Sequence, residues 1–267
     1  MEKALKLSLI AVSAIFISMG YAEESPQTHE KAEKKEVQQH KGHAKHWGYN
    51  GEVGPENWGK LDAKFHMCSE GKQQCPIDVV PTKDANLSPL DLNYTKESKS
   101  VVDNGHAVQV NMQEGNIFVI DGEPYELKQF HFHTPSENHI KGKSFPMEAH
   151  FVHASKDGNL AVIAVMFVEG DANPTLDKIE KEFPLEHNKA KDLNFSKESL
   201  GEILPKDKDY YKFMGSLTTP PCSEDVKWFV FKNPVTASKE QIEAMHKQIN
   251  KENNRPIQPT NGREILE

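Results

Sequence analysis

The residues with the clearest capacity for chemistry are three histidines on two neighbouring apolar segments. His131 and His133 alternate with phenylalanines in the first segment, and His150 lies in the second. Successive side chains of a β-strand point to opposite faces, so the two histidines of the first segment share one face with Gln129. The same alternation puts His150 on one face with Glu148. If the two strands pair, the three imidazoles converge and can bind a metal ion.

Three imidazole ligands predict a particular kind of metal site. They leave one position of a tetrahedral zinc ion open, as in catalytic sites, whereas structural zinc sites are closed by four ligands, mostly cysteines. A metal-bound histidine also needs its second ring nitrogen held, and Gln129 and Glu148 lie two residues from His131 and His150 on the same faces. Imidazole ligation suits zinc, although copper, cobalt or nickel also bind. The alternative is that the histidines only fill a half-buried sheet, but three on converging faces favour the metal site.

A series of ordered motifs gives the chain a family resemblance from residue 46 almost to its end. The motifs are His46-Trp47-Gly48-Tyr49, Gly54-Pro55-Glu56-Asn57-Trp58, Asn104-Gly105-His106, residues 129–133, Ser136-Glu137, residues 148–153, Ser216-Leu217-Thr218-Thr219-Pro220-Pro221 and Asn253-Asn254-Arg255-Pro256. With these motifs the chain resembles the alpha-class carbonic anhydrases. Thr134-Pro135, and Cys222 after the double proline, are similar to the bacterial exported branch of that family.

The resemblance implies a zinc enzyme that reversibly hydrates carbon dioxide to bicarbonate and a proton. It implies the zinc ligands His131, His133 and His150, supported by Gln129, Glu148 and the main chain of Asn253. Zinc lowers the pKa of a bound water from about 15.7 to about 7, so a zinc-bound hydroxide can attack carbon dioxide at neutral pH. Such a hydroxide is a general nucleophile, which also predicts weak activity towards activated esters.

Thr218 and Glu137 match a pair of residues that orients this nucleophile in the family. The resemblance implies that Thr218 accepts a hydrogen bond from the hydroxide and that Glu137 orients Thr218. If Thr218 donates its own proton to Glu137, it can only accept from the hydroxide, which turns a lone pair towards the substrate. Without the resemblance, Thr218 is typical of a sheet residue and Glu137 of a solvated turn carboxylate.

His106 matches the proton shuttle of the family. The unperturbed pKa of histidine lies near neutrality, which suits a group that takes and releases protons during turnover. Taken alone, His106 is equally compatible with a loop histidine, because the preceding Asn104-Gly105 is a strong turn signal.

A small apolar substrate predicts an apolar wall beside the metal. The resemblance implies that five residues form it, namely Val152, Val162, Leu217, Val226 and Trp228. Val162 lies in residues 161–168, a continuous apolar run that predicts a central strand buried on both faces. Residues of this kind can also belong simply to the core.

The N-terminus predicts export. Lys3 and Lys6 precede an apolar stretch, residues 7–19, and small residues occupy the cleavage positions of Gly20-Tyr21-Ala22, so residues 1–22 are typical of a secretory signal peptide. The stretch is shorter than the roughly 20 residues that span a membrane. We therefore expect an exported protein, periplasmic or secreted, without a membrane span.

Two regions follow the signal peptide. Residues 23–45 are rich in charge and in glutamine and histidine, which predicts a flexible tail; a metal-scavenging role is a weaker alternative to a solvated linker. Residues 46–267 form one predicted catalytic domain, with strands near 107–112, 117–120 and 227–232 and helices after Pro174 and Ser238. The pattern and the resemblance predict a mainly β fold with a large, mostly antiparallel twisted central sheet and short surface helices.

Export permits disulfides, and three cysteines leave one unpaired. The resemblance implies a bridge between Cys68 and Cys222. Cys75 stands where the family usually has serine, between Gln74 and Pro76. Cys75 could be buried and inert, could compete with Cys68 for Cys222, or could bridge the subunits of a homodimer, and the sequence leaves these open.

Composition and motifs separate the remaining function classes. A net charge of −8 disfavours nucleic acid and anionic membrane surfaces as partners. A metalloprotease is disfavoured because no His-Glu-x-x-His motif occurs. A non-catalytic relative that keeps the fold as a binding module would be expected to lose a zinc ligand or the threonine pair, and neither is lost. The small-molecule substrates carbon dioxide and bicarbonate are therefore the expected partners.

Overall fold

One large β-sheet is the main structural element of the described chain. The computed structural model describes residues 46–267, and the predicted signal peptide (1–22) and tail (23–45) lie outside them. The strands are β1 Asp78–Val79, β2 Asp91–Asn93, β3 Ser98–Asp103, β4 Val108–Met112, β5 Ile117–Ile120, β6 Glu123–His133, β7 His139–Ile140, β8 Met147–Ser155, β9 Leu160–Glu169, β10 Lys191–Asp192, β11 Tyr210–Gly215, β12 Val226–Phe231 and β13 Val235–Ala237. The helices are α1 Trp58–Leu61, α2 Met67–Glu70, α3 Pro174–Glu180, α4 Lys197–Glu202 and α5 Lys239–Ile249.

Eleven strands form the main sheet, in the order β10-β3-β4-β6-β8-β9-β12-β11, with β5 also beside β6, β2 beside β5, and β13 beside β9. Neighbouring strands run antiparallel except where β9 meets β12 and β13. A separate two-stranded parallel pair joins β1 to β7. The prediction of a large, mostly antiparallel sheet with short helices is confirmed.

Strands β6, β8 and β9 lie in the middle of the sheet, and two apolar cores cover its faces. Phe130, Phe132 and Phe151 belong to the larger core, on the face opposite the histidines. Strand β9 contributes Ile163 to this core and Val162 to the smaller one, so it is buried on both faces, as its apolar run predicts.

Helices α3 and α5 begin where their capping residues predict. Asn173 accepts hydrogen bonds from the backbone N–H groups of the first turn of α3. Ser238 and Gln241 form a reciprocal capping box at the start of α5, which buries Met245 and Ile249. In residues 46–267, none of the helices is long and apolar enough to cross a membrane.

Candidate active site

Strands β6 and β8 bring the three histidines together. The strands pair antiparallel with His131 directly opposite His150, and His133 lies two residues further along β6. One ring nitrogen of each histidine lies within 4.8 Å of those of the other two. His133 and His150 are buried, whereas His131 is partly exposed, so the cluster is reached from the side of His131. This is the convergence that strand alternation predicts.

Each imidazole is oriented by a partner on its other ring nitrogen. The pairs are His131 Nδ1 with Gln129 Oε1 at 2.8 Å, His150 Nε2 with Glu148 Oε1 at 2.8 Å, and His133 Nδ1 with the main-chain oxygen of Asn253 at 2.7 Å. Because these acceptors hold protons on those nitrogens, the lone pairs of His131 Nε2, His133 Nε2 and His150 Nδ1 are left to bind a ligand. His133 Nε2 is buried and has no hydrogen-bond partner among the described residues.

The chemistry of this donor set fits a zinc ion. Burial lowers the pKa of each of the three histidines, so they are neutral, which is the protonation state that binds a metal. Three nitrogen ligands with held second nitrogens leave one tetrahedral position open. A buried unpartnered nitrogen is costly unless something binds it, and a metal ion would do so.

Glu148 is the most completely hydrogen-bonded group of the site. Its Oε1 faces His150 and also accepts from Asn138 Nδ2 at 2.7 Å. Its Oε2 accepts from the backbone N–H groups of Glu137 at 2.7 Å and Asn138 at 2.8 Å. Four donors around one buried carboxylate fix its orientation, and through it that of His150.

Asn253 does more than the sequence indicates. The expected role concerned its main chain, but its fully buried side chain also donates to the main-chain oxygens of His106 and Phe132, each at 2.9 Å. The side-chain oxygen accepts from the backbone N–H of Thr134 at 2.8 Å. Asn253 therefore ties the turn that carries His106 to the end of β6.

Glu137 is buried beside the histidines, with Oε2 at 3.4 Å from His133 Nε2. Its Oε1 accepts from the backbone N–H of Arg255 at 2.8 Å. Burial raises the pKa of Glu137 to about 8, and hydrogen bonds from the Thr218 side chain and the Arg255 backbone oppose that rise. A cation held by the three imidazoles would further favour the carboxylate. Thr218 therefore lies beside Glu137 in the structure.

His106 lies in the same cavity as His131 and His133. Its ring stacks on Trp47, with centroids 3.7 Å apart and planes 7° from parallel. In this position its Nδ1 is buried without a hydrogen-bond partner. Burial lowers the pKa of His106 to about 4, and the nearby charge of Lys251 adds to that effect. The stacked ring is therefore a poor proton acceptor at neutral pH.

The cavity has a volume of about 150 Å³. Its lining residues are Trp47, Tyr49, Asn104, His106, Ala107, Gln109, Gln129, His131, His133 and Thr219. The five residues predicted for an apolar wall all belong to one cluster, in which Val162, Val226 and Trp228 are buried and Val152 and Leu217 partly buried. Trp228 meets His150 edge to face at 5.0 Å, so this cluster borders the metal site.

The disulfide between Cys68 and Cys222 is present, as the resemblance implies. Cys75 is fully buried, with its Sγ near the backbone N–H of Ser216 and the guanidinium of Arg263. Burial raises the pKa of Cys75 to about 11, so the thiol stays protonated and unreactive. Of the three alternatives left open for Cys75, the structure favours the buried and inert thiol, with Cys222 already bonded to Cys68.

Three features of the site could not be found from the sequence. Trp47 covers His106, Asn253 uses its side chain, and Arg255 donates to Glu137. Trp47 and Arg255 lie within motifs that indicate the family, but their partners are 59 and 118 positions away in the chain. No local pattern identifies such partners.

Comparison with known proteins agrees with this geometry. The family described as eukaryotic-type carbonic anhydrase matches residues 53–267. A carbonic anhydrase of Pectobacterium atrosepticum is 47% identical over 221 residues, 83% of this chain and 90% of that protein. A carbonic anhydrase of Neisseria gonorrhoeae is 44% identical over 227 residues, which are 85% of this chain and 89% of that protein.

Solved structures lead to the same family. The alpha-carbonic anhydrase of Thermovibrio ammonificans, in complex with the inhibitor sulfanilamide, superposes with a TM-score of 0.80 at 45% identity. The alignment covers 84% of this chain and 99% of that one. The chain therefore belongs to the eukaryotic-type, or alpha-class, carbonic anhydrases, the family that its motifs predict.

Proposed function

We propose that this enzyme hydrates carbon dioxide to bicarbonate and a proton in a zinc-dependent and reversible reaction. The observation that carries the proposal is the convergence of His131, His133 and His150 with their free nitrogens within 4.8 Å of one another. When bound, zinc supplies a Lewis acid that lowers the pKa of a coordinated water to about 7, which makes a hydroxide nucleophile available. The histidines hold the ion, and Gln129, Glu148 and Asn253 keep their rings in the binding orientation.

Thr218 and Glu137 orient the nucleophile. We assign the Thr218 hydroxyl as a hydrogen-bond donor to Glu137, which is itself held by the backbone N–H of Arg255. A hydroxyl that donates to a carboxylate presents only lone pairs to its other neighbours. Thr218 therefore accepts a hydrogen bond from the nucleophile and turns the nucleophile's own lone pair towards the substrate. The apolar cluster around Val152 and Trp228 offers carbon dioxide a surface that does not compete for hydrogen bonds.

His106 removes the product proton from the site. Stacked on Trp47, its imidazole has a pKa of about 4 and cannot hold a proton at neutral pH. We therefore place the protonated form of His106 in a second ring position, turned from Trp47 towards solvent, where its pKa returns towards about 6.5. The stacked position would thus hold the neutral ring, and the turned position would hold the proton and release it to solvent.

Export is also part of the proposal. The disulfide between Cys68 and Cys222 supports it, because disulfides persist in oxidising compartments outside the cytosol. We propose a periplasmic or secreted enzyme whose signal peptide is residues 1–22. Carbon dioxide and bicarbonate are its partners, with activated esters as slow alternative substrates.

Stopped-flow hydration of carbon dioxide tests the proposal. The protein beginning at Glu23 is assayed as purified, after its metal is stripped, and after one equivalent of zinc is restored. We expect fast hydration that disappears with the metal and returns with zinc. A protein that holds a full equivalent of zinc and still fails to hydrate carbon dioxide would instead be a binding module with this fold.

A further inference from the structure

Arg255 is one of two arginines in the chain, and it is almost entirely buried, at 2% exposure. Its Nη1 donates to Gln74 Oε1 and to the main-chain oxygen of Cys75, and its Nη2 donates to the main-chain oxygen of Cys68, each at 2.8 Å. The guanidinium also lies over the ring of Trp58. Three hydrogen bonds in a rigid planar fork fix the side chain in one position.

The backbone next to this anchored side chain reaches the metal site at two points. The main-chain oxygen of Asn253 accepts from His133 Nδ1 at 2.7 Å. Two residues later, the backbone N–H of Arg255 donates to Glu137 Oε1 at 2.8 Å. One short segment, residues 253–255, therefore orients both a metal ligand and the carboxylate paired with Thr218.

These two backbone contacts need a segment that does not move. Residues 253–255 lie outside the helices and strands, so no regular backbone ladder holds them. The Asn253 side chain ties one end of the segment to the His106 turn and to the end of β6. The Arg255 side chain anchors the other end, because its acceptors belong to the segment around Cys75 and to Cys68. Cys68 is in turn covalently joined to Cys222, four residues after Thr218.

We propose that Arg255 is a positioning residue for the carbonic anhydrase reaction, because its buried guanidinium fixes the segment that orients His133 and Glu137. This inference rests on the proposed zinc mechanism. Lysine at this position would keep the positive charge, but a single ammonium cannot reproduce the planar fork that holds three acceptors. Both the shape and the charge of the Arg255 side chain are therefore required to hold the segment 253–255.

Arg263 is a matched control. It is also buried, at 8% exposure, and donates to main-chain oxygens of Gln73, Gln74 and Met214. None of the hydrogen bonds found for Arg263 involves residues 253–255. The Arg263 side chain makes more hydrogen bonds than the three of Arg255, so its loss disturbs the fold at least as much, but only the loss of Arg255 releases the segment at the metal site.

The experiment compares Arg255→Met, Arg255→Lys and Arg263→Met with the wild-type enzyme, all loaded with zinc. Three quantities are measured: the thermal midpoint, the zinc dissociation constant by chelator competition, and the pH profile of kcat/KM. Groups that orient metal ligands typically change metal affinity or activity by 10 to 100-fold. We expect zinc affinity to fall about 10-fold in both Arg255 variants and to change less than about twofold in Arg263→Met.

The pH profile separates charge from placement. In Arg255→Met the profile moves to higher pH, because a lost buried positive charge favours the protonated form of neighbouring acids. In Arg255→Lys the profile stays near that of the wild type while zinc binding remains weakened. If Arg255→Met does not fold, the comparison of Arg255→Lys with Arg263→Met decides the question.

Two results would overturn the inference. One is wild-type zinc affinity and pH profile in folded Arg255 variants; the other is an equal loss of zinc affinity in Arg263→Met, which would indicate general destabilisation. A wild-type protein that neither binds zinc nor hydrates carbon dioxide would refute the proposed function instead. The wild-type measurement therefore distinguishes the two failures.

Discussion

The substitution Glu148→Gln tests whether the hydrogen-bond network around the histidines sets their metal-binding form. It changes one oxygen of a buried carboxylate to an amide NH2 and leaves the size of the side chain the same. In the wild type each Glu148 oxygen accepts from two donors: Oε1 from His150 and Asn138, and Oε2 from the backbone N–H groups of Glu137 and Asn138. Whichever way the amide turns, its NH2 group faces donors.

The backbone donors decide the orientation of the amide. The N–H groups of Glu137 and Asn138 cannot change their direction, whereas the proton of His150 can move to its other ring nitrogen. The amide NH2 therefore faces His150, whose Nε2 becomes the acceptor and whose Nδ1 takes the proton. Nδ1 is the nitrogen that must bind the metal, so zinc binding has to reverse this tautomer and leave a buried donor unpaired.

An unpaired buried donor costs about 1 to 3 kcal/mol, and each 1.4 kcal/mol corresponds to about tenfold in affinity. We expect the zinc dissociation constant of Glu148→Gln to rise about 10 to 100-fold, measured by chelator competition at neutral pH. Glu169→Gln, on the exposed end of strand β9, is the control and should bind zinc like the wild type. A folded Glu148→Gln protein with wild-type zinc affinity would refute the tautomer assignment of His150.

Three further predictions follow from the same structure. His150→Ala should abolish stoichiometric zinc binding, measured by metal analysis after dialysis, because two imidazoles hold the ion poorly; full occupancy would contradict the ligand set. His106→Ala should slow hydration in weak buffer and recover with added imidazole, and an unchanged rate would place proton transfer elsewhere. Burial lowers the pKa of His153 from 6.5 in the unfolded chain to about 4 in the folded protein. As the pH falls, the unfolded chain therefore binds the proton first, and the free energy of unfolding decreases between about pH 6.5 and pH 4. Between about pH 7.5 and 5 the free energy of unfolding should therefore fall by about 2 kcal/mol more in the wild type than in His153→Gln, as measured by urea unfolding. Glutamine keeps polar groups for the contacts with Tyr94 and Ala161. An equal fall in both proteins would show that His153 does not cause the pH dependence.

Local periodicity was sufficient to predict that the three histidines converge. Side chains alternate along a strand with a period of two, so the faces of His131, His133 and His150 follow from the sequence once β6 and β8 pair. The partners Gln129 and Glu148 are two residues from their histidines and follow from the same rule. Because apolar runs and capping residues are also local, β9 and the starts of α3 and α5 were predictable as well.

The groups that tune the site come from distant parts of the chain, and periodicity cannot place them. Asn253 meets His133 across 120 positions, and Arg255 meets Glu137 across 118. The contacts of both residues depend on how a segment outside the helices and strands lies against the folded sheet, which no short pattern records. The family resemblance predicted the contact of the Asn253 main chain with His133, but it did not predict the hydrogen bonds of the Asn253 side chain.

The pKa of His106 shows why this division matters for function. Its residue type predicts a proton carrier near neutrality, yet burial lowers the pKa of His106 to about 4, and the charge of Lys251 adds to that effect. The type of residue is read from the sequence, whereas the environment that decides when it carries a proton is assembled from Trp47, Lys251 and the turn held by Asn253. A histidine in the right motif therefore predicts proton transfer, and the groups around its ring decide the pH at which it carries a proton.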